Sequence, residues 1–263
     1  MYQLKEITEK NWGKLLWNSF VINNFKFYSF LNSWEWGEFN KSQWNEIFRF
    51  WIYKSFYETS IWENLQNLEN ESNLIWEFMM ILHKAKRWTY LFCPHWPQII
   101  ESENYFEVLE KLKPELRKIA KENNVDFLRL NSVSVNTKEN FNNYRKIWFK
   151  DAPMHVHAED THLLDLDRNE DEMMANLRKT TRYMINRAKK EWVKVKNYSR
   201  ENWNLEEWLS TLIKMHINHS KRWNWKHNYS AFSEKYIREL FEIFDEKDLS
   251  LISASYEWQI EAY

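Results

Sequence analysis

The densest group of residues that could do chemistry is a set of cations on one predicted helix. Leu177, Met184 and Ala188 recur at helical spacing and predict an apolar stripe that faces the core. The charged side chains would then face outward and could bind nucleic-acid phosphates, since such binding is mostly electrostatic. A solvated amphipathic face explains the same pattern equally well. The cations are Arg178, Lys179, Arg182, Arg187, Lys189 and Lys190.

A second group lies in the segment MHVHAED. His155, His157 and Asp160 carry atoms that bind metals, but the two histidines are one strand pitch apart and no second pair follows at zinc-site spacing. We therefore expect no metal site. Three other histidines are expected to be ordinary hydrogen-bonded residues at the ends of strands or in loops. These are His83, His95 and His227.

The composition limits the class of protein. A chain of 263 residues with 44% hydrophobic residues can form one large domain or two of ordinary size. Its net charge of −1 excludes a globally basic field, so any polyanion site must be a local patch. The single cysteine, Cys93, excludes an internal disulfide and is expected to be buried. No apolar run approaches the roughly 18 residues of a membrane span, which favours a soluble cytoplasmic protein.

Glycine is rare in this chain and tryptophan is abundant. The sequence holds 2 Gly and 17 Trp, whereas average usage predicts about 18 glycines in a chain of this length. Trp192 follows a basic helical segment and precedes the strand-like VKV, where a helix commonly ends in glycine. Trp258 stands at the tip of a predicted hairpin, where Glu-Gly would form the turn. Four more stand at predicted element boundaries: Trp88, Trp96, Trp148 and Trp225.

A reassigned codon would explain these tryptophans. If UGA encodes glycine in the source organism, translating it as tryptophan produces such a sequence. A left-handed residue other than glycine costs about 1 to 2 kcal/mol, so several would rival the roughly 5 to 15 kcal/mol that stabilises a domain. We therefore hypothesise that many of the tryptophans represent glycine. The alternative is a truly tryptophan-rich protein.

Apolar runs rich in β-forming residues alternate with segments of helical periodicity. This pattern predicts a mixed α/β (α+β) fold with a first domain over residues 1–149 and a second over 150–263. The first domain is predicted to hold a helix capped by Ser33, strands at 46–53, 74–84, 89–94 and 126–130, and a helix at 104–123. The second is predicted to hold a strand at 161–166, a helix at about 170–190, the strand VKV, helices at about 205–222 and 233–244, and a terminal hairpin. Because the chain stops just inside the second strand of that hairpin, we expect the second domain to be incomplete.

Five segments, in chain order, resemble the successive sequence blocks of the FemABX aminoacyltransferases. They are FLNSWEWGEFNKSQW, AKRWTYLFCPHWPQI, AEDTHLLDLD, LRKTTRYMINRAKKEWVKV and KRWNWKHNYS. Five ordered matches between Phe30 and Tyr229 are more specific than any one of them. The resemblance is closer when five of the tryptophans are replaced by glycine. These are Trp44, Trp88, Trp96, Trp192 and Trp225.

The resemblance implies two GNAT-like domains that transfer an amino acid from aminoacyl-tRNA to the peptide of a nucleotide- or lipid-linked peptidoglycan precursor. It implies no cofactor, no stable protein partner, and peripheral contact with the inner face of the membrane. By the same resemblance, Lys41 and Arg222 are candidates for binding the acceptor phosphates; the alternative is that each is a solvated helix-end charge. The residues that would contact tRNA are Arg178, Lys179, Arg182, Arg187 and Lys190.

The sequence does not identify a catalytic base. Some relatives have an aspartate, considered for proton transfer, at the position of Asn131, and an amide cannot act as a base. A noncatalytic muropeptide-binding paralogue is therefore one alternative. A GNAT-type acyl-CoA N-acyltransferase is another, but its pyrophosphate loop needs a Gln or Arg before a glycine-rich turn at a helix N-terminus. No such segment appears, even when tryptophan is replaced by glycine.

Overall fold

The computed structural model describes residues 2–7, 13–25, 28–54, 74–95, 104–153, 156–157, 163–164, 166–198, 205–227, 232–257 and 259–262. Strands and helices alternate along them, so the predicted mixed α/β class is confirmed. The chain divides into two compact units, Met1–His157 and Ala158–Tyr263. The division falls close to the position between residues 149 and 150 at which the sequence places the domain boundary.

The first unit is built on a five-stranded sheet with the strand order β1-β2-β3-β4-β5. Adjacent strands are antiparallel except β4 and β5, which are parallel. A helix connects these two strands, as a parallel pair requires. All four strands predicted from the sequence in this unit are present. The strands are β1 (Tyr2–Glu6), β2 (Glu46–Lys54), β3 (Leu74–Lys84), β4 (Thr89–Cys93) and β5 (Phe127–Leu130).

Three of the α-helices of the first unit begin at polar caps. The Ser33 hydroxyl accepts a hydrogen bond from the Trp36 backbone N–H at 3.1 Å, which confirms the predicted cap. Asn104 caps the long helix predicted at 104–123 in the same way. The elements are α1 (Gly13–Asn24), a 3-10 turn (Phe30–Asn32), α2 (Trp34–Ser42), α3 (Tyr105–Glu122) and α4 (Lys138–Lys146).

Both faces of this sheet are covered, because side chains alternate between faces along each strand. One face packs on α3 through a buried cluster that includes Trp76, Phe78 and Leu112. Cys93 belongs to this cluster and is buried, as predicted. The other face packs on α1 and α2 through a cluster that contains Trp17, Trp34 and Trp51. We call this second cluster, Trp17, Val21, Trp34, Trp51 and Met79, the tryptophan core.

The second unit has a smaller antiparallel sheet in the order β6-β7-β8. A small core of Leu209, Ile213 and Ile237 joins two of its helices. The predicted terminal hairpin is confirmed, with a two-residue loop after Tyr256. The elements are α5 (Glu170–Asn176), α6 (Lys179–Lys190), β6 (Lys194–Tyr198), α7 (Leu205–His227), α8 (Glu234–Ile243), β7 (Leu251–Tyr256) and β8 (Gln259–Ala262).

Two predictions for the second unit are wrong. Leu163 and Leu164, in the predicted strand at 161–166, are exposed and form no strand; residues 161, 162 and 165 lie outside the described residues. The single helix predicted at 170–190 is two helices, because Leu177 and Arg178 are extended, with ψ of 153° and 146°. Met184 is exposed and is not part of an inward stripe.

Four helices end in the same hydrogen-bond pattern. In each of them, the second residue after the end of the helix has a left-handed conformation. After α6, the Trp192 N–H donates to the Lys189 carbonyl at 3.4 Å and the Val193 N–H donates to the Ala188 carbonyl at 3.1 Å. This is the Schellman motif, in which glycine is the usual left-handed residue and asparagine an occasional one. The left-handed residues and their φ angles are Trp44 (67°), Asn124 (50°), Trp148 (72°) and Trp192 (62°).

The other tryptophans for which the sequence suggests glycine do not share this left-handed geometry in the described residues. Trp88 lies in the β3–β4 turn, but it is not among the residues with positive φ. Trp225 is inside α7 and not at an element boundary, so that prediction is wrong. Trp96 and Trp258 lie outside the described residues. Glu257, the first residue of the hairpin loop, has φ 46°, as the first position of a primed turn requires.

Candidate active site

The parallel strands β4 and β5 end side by side, and polar residues follow both ends. His95 comes two residues after β4, and Asn131 comes directly after β5. The Asn131 backbone N–H donates to the Cys93 carbonyl at 3.1 Å, which continues the parallel pairing beyond the strands. In open α/β sheets the crevice outside the carboxyl ends of the strands is the usual place for a ligand. We therefore take this edge as the candidate active site.

His95 is held by the segment that precedes α2. Its Nδ1 lies 2.8 Å from the Ser29 hydroxyl oxygen. The Asn32 side-chain amide donates to the carbonyls of Pro94 and His95 at 3.3 and 3.2 Å. These contacts fix a strained backbone, since His95 has φ 47°. Strain of this kind is often retained at functional sites.

His157 lies against the same edge. Its Nδ1 is 2.9 Å from Nδ2 of Asn131, and its ring packs on Phe92 with the centroids 5.3 Å apart. The rings of His157 and His95 are perpendicular, with centroids 5.7 Å apart. Burial lowers the pKa of both imidazoles; His157 further lowers the pKa of His95, and Arg129 further lowers that of His157. Both rings are therefore neutral near pH 7.

A network of hydroxyl groups anchors the segment after β5. The Tyr144 hydroxyl donates to the Ser132 hydroxyl at 2.7 Å, and the Tyr105 hydroxyl contacts Tyr144 as well. Ser132 in turn donates to Ser134 at 2.8 Å. Burial raises the pKa of Tyr105 well above its ordinary value, so its hydroxyl stays protonated. It ties the residues next to Asn131 to α3 and α4.

Lys41, the predicted phosphate ligand, lies in the last turn of α2 within a chain of charges. Its Nζ is 3.1 Å from Glu38 Oε1, and the same oxygen is 2.8 Å from Nη2 of Arg49. Arg49 is buried and lies over the Trp34 ring, 3.7 Å from its centroid. A side chain at Gly37 would meet the Arg49 guanidinium at 2.0 Å, so only glycine admits it. The rise of the helix puts Lys41 about 12 Å along α2 from Ser33, which begins the helix beside the His95 segment.

Glu77 is a buried carboxyl group on β3, on the same face of the sheet as the tryptophan core. Among the described residues neither of its oxygens has a hydrogen-bond partner. Burial raises its pKa well above the ordinary value, and the charge of Arg49 opposes this only in part. It lines a small cavity together with Trp17 and Asn32.

The predicted tRNA-binding cations lie on and next to α6. Arg182 is half-buried, and its guanidinium donates to the carbonyls of Ala175 and Leu177, so it caps the end of α5. Arg187 pairs with Glu191 at 2.6 Å. The other three are exposed: Arg178, Lys179 and Lys190. Arg222 lies in α7 outside the part whose side chains are described.

A pattern in the sequence is sufficient to place His95 beside Asn131. A strand, a helix and a second strand in succession predict parallel pairing, so the residues after both strands should meet at one edge. His95 and Asn131 satisfy that condition. No such pattern places His157, and the two residues grouped with it in the sequence as candidate metal ligands, His155 and Asp160, lie outside the described residues.

None of the helices in the described part of the chain combines the length and the apolar character that a bilayer span requires. No protein-family model matches the chain, and no curated protein matches it. The crystal structure of FemX is similar over 96% of this chain, with a TM-score of 0.66 and 16% identity. The fold is FemX-like. This confirms at the level of fold the resemblance predicted from the sequence blocks.

The chain spans 57% of the length of the FemX structure. Acetyltransferases are similar at lower scores. The aminoglycoside 6'-N-acetyltransferase of Acinetobacter baumannii has a TM-score of 0.39 at 7% identity, over 62% of this chain and 99% of its own. A Trypanosoma brucei acetyltransferase has a TM-score of 0.37 at 9% identity, over 60% and 99%.

Proposed function

We propose that this protein transfers an amino acid from aminoacyl-tRNA to the peptide of a peptidoglycan precursor. The observation that carries the proposal is the FemX-like fold over 96% of the chain, together with the ordered sequence blocks. The polar edge at the ends of β4 and β5 supplies a site for aminolysis of an ester, which needs positioned donors and a proton acceptor. No external cofactor takes part in that chemistry.

Lys41 and Arg222 are proposed to bind the phosphates of the acceptor. Lys41 is one-third exposed, so its ammonium group can exchange Glu38 for a phosphate oxygen. The exposed cations on and beside α6, Arg178, Lys179 and Lys190, are proposed to contact the tRNA backbone. Arg182 and Arg187 are proposed to contribute less, because each already has a partner within the protein.

The test is a transfer assay with the complete gene product, a mixture of charged tRNAs and a nucleotide-linked muropeptide. The expected result is an acceptor whose mass increases by one amino-acid residue, and only when charged tRNA is present. Transfer of an acetyl group from acetyl-CoA would instead identify an acyl-CoA enzyme. Muropeptide binding without transfer would identify a noncatalytic relative.

Changes in KM caused by single and double substitutions then show which residues bind the acceptor and which bind tRNA. Lys41→Ala is expected to raise KM for the acceptor roughly 10-fold or more, since a charge-assisted hydrogen bond contributes about 1.5 to 3 kcal/mol. Lys84→Ala is the matched control, because Lys84 also pairs with a glutamate, Glu46, but at the far end of β3. Lys179→Ala with Lys190→Ala should raise KM for tRNA and leave KM for the acceptor unchanged.

A further inference from the structure

Two half-buried imidazoles face each other at the ends of β4 and β5, and each is oriented through its Nδ1 atom. Ser29 holds His95 and Asn131 holds His157, at 2.8 and 2.9 Å. Within the described residues no hydrogen bond reaches the Nε2 atom of either ring. This arrangement leaves both Nε2 atoms available to a substrate in the crevice.

The partners of the two rings allow the rings to adopt different tautomers. Nδ2 of Asn131 is a donor, so Nδ1 of His157 accepts and the ring proton sits on Nε2. The Ser29 oxygen can accept from Nδ1–H of His95 as well as from the Leu31 backbone N–H at 3.2 Å, because a hydroxyl oxygen has two lone pairs. In the tautomer with the ring proton on Nδ1, Nε2 of His95 carries no proton. One ring then offers a base and the other a donor.

We propose that, within the proposed aminoacyl transfer, His95 is the proton acceptor and His157 donates a hydrogen bond to the developing oxyanion. This inference rests on the proposed function and supplies the base that Asn131 cannot provide. Asn131 becomes a positioning residue, since its amide sets the tautomer of His157. Ser29 has the same role for His95.

The proposed aminolysis conserves protons and electrons without a further reactant. The uncharged acceptor amine attacks the ester carbonyl carbon, a C–N bond forms, and the carbonyl oxygen becomes an oxyanion that accepts the N–H of His157. Nε2 of His95 takes one proton from the attacking nitrogen. The C–O bond to the tRNA ribose then breaks, and the leaving oxygen takes that proton from His95. Both imidazoles end neutral.

The surroundings suit a base that works near neutral pH. In the described part of the chain, the charged and titratable groups that shift these pKa values are Arg129, which acts on His157, and His157, which acts on His95. Burial lowers the pKa of His95, and His157 lowers the pKa further, so His95 is unprotonated under cellular conditions. Since His157 opposes the protonation of His95, His157→Phe should raise the pKa of His95.

The test combines kinetics with NMR titration of the histidine rings in the complete gene product. His95→Gln is expected to lower kcat by roughly 100-fold to 10,000-fold and to remove the acidic limb of the kcat–pH profile. Added imidazole should restore part of the activity of His95→Ala. His157→Phe should lower kcat, His157→Gln should retain more of it through its amide donor, and the acidic limb of His157→Phe should move to higher pH.

His83→Gln is the matched control. His83 is also half-buried with a lowered pKa, but it stacks on Tyr90 near the start of β4 and is separated from His157 by the Phe92 ring, whose centroid is 6.2 Å from that of His83. Its variant should keep the wild-type rate and pH profile. If the wild type is active and His95→Gln keeps the same rate and the same acidic limb, the role of His95 is overturned while the proposed function stands. A wild type that transfers no amino acid would overturn the proposed function and this inference with it.

Discussion

The tryptophan core of the first unit and the ends of its helices hold the same residue in opposite surroundings. Trp17 is 1% exposed, packs on Trp51 with centroids 5.6 Å apart, and donates its indole N–H to the Asn32 carbonyl at 2.7 Å. At the helix ends of both units, Trp44, Trp148 and Trp192 are 88%, 79% and 82% exposed. The core tryptophans are used for packing, while those at the helix ends are not.

The helix ends show what these positions require. Trp44, Trp148 and Trp192 share their left-handed conformation with Asn124, and all four close the same hydrogen-bond motif. Glycine occupies this place without strain and asparagine with little, whereas tryptophan is strained there. The geometry supports the hypothesis that these three residues represent glycine, and it gives no such support for the buried tryptophans.

The largest expected effect is in the core. Trp17→Ala should lower the free energy of unfolding by about 3 to 5 kcal/mol, because it leaves a cavity beneath the sheet and removes a buried hydrogen bond. Denaturant unfolding with an unchanged m-value would measure it. A loss below about 1 kcal/mol would mean that Trp17 does not pack as described, and the contrast with the helix ends would fail.

The next effect has the opposite sign. Replacing Trp44, Trp148 and Trp192 together by glycine should raise the free energy of unfolding by about 2 kcal/mol. Each change releases about 1 to 2 kcal/mol of left-handed strain, of which the freedom of glycine in the unfolded chain offsets about 0.4 to 1 kcal/mol. Urea unfolding of the triple variant measures the gain.

Two controls separate the backbone from the side chain in that experiment. Trp192→Ala removes the indole and keeps the strain, so it should not reproduce the gain of Trp192→Gly. Asn124→Gly should change stability by roughly 0.5 kcal/mol or less, since asparagine tolerates this conformation. Equal gains from alanine and glycine at position 192 would contradict the strain argument.

The smallest expected effect is a pH dependence of the free energy of unfolding, which arises beside the tryptophan core and not at the helix ends. Because the pKa of Glu77 is raised in the folded state, its contribution to stability is complete below its unfolded pKa of about 4.3 and is lost as pH rises toward the folded value. The free energy of unfolding should therefore fall by up to about 1.4 kcal/mol per pH unit above pH 4.3. Glu77→Gln should remove this slope, while the glycine variants should keep it.

Glu35 provides the matched control, because it is also buried beside the tryptophan core but has partners. Its side chain pairs with Lys14 at 3.0 Å and with Asn18 at 2.9 Å. Although burial is the largest influence and raises its pKa, these partners together bring the pKa below the ordinary value. Its contribution is therefore lost as pH falls, and Glu35→Gln should leave the alkaline slope intact. An alkaline slope that survives in Glu77→Gln would show that another group titrates.

Local features of the fold were predictable from the sequence, and non-local ones were less so. The helix end at Trp192 depends on neighbouring residues, and the sequence predicts it correctly. The predicted strand at 161–166 does not form, because a strand needs a pairing partner and Leu163 and Leu164 have none in the described part of the chain. The contact between His95 and His157 needs a loop from another part of the chain, which no local pattern could predict.

The most direct test of the difference between the two regions is the mass of peptides from the protein purified from its natural source. The peptides that cover Trp44, Trp148 and Trp192 are expected to carry glycine at those positions. The peptides that cover the buried Trp17 and Trp51 provide the comparison from the core. Glycine at the three helix ends would explain the left-handed geometry as a property of the natural residue. Tryptophan at all three would contradict the account, and the helix ends would then be strained in the native protein.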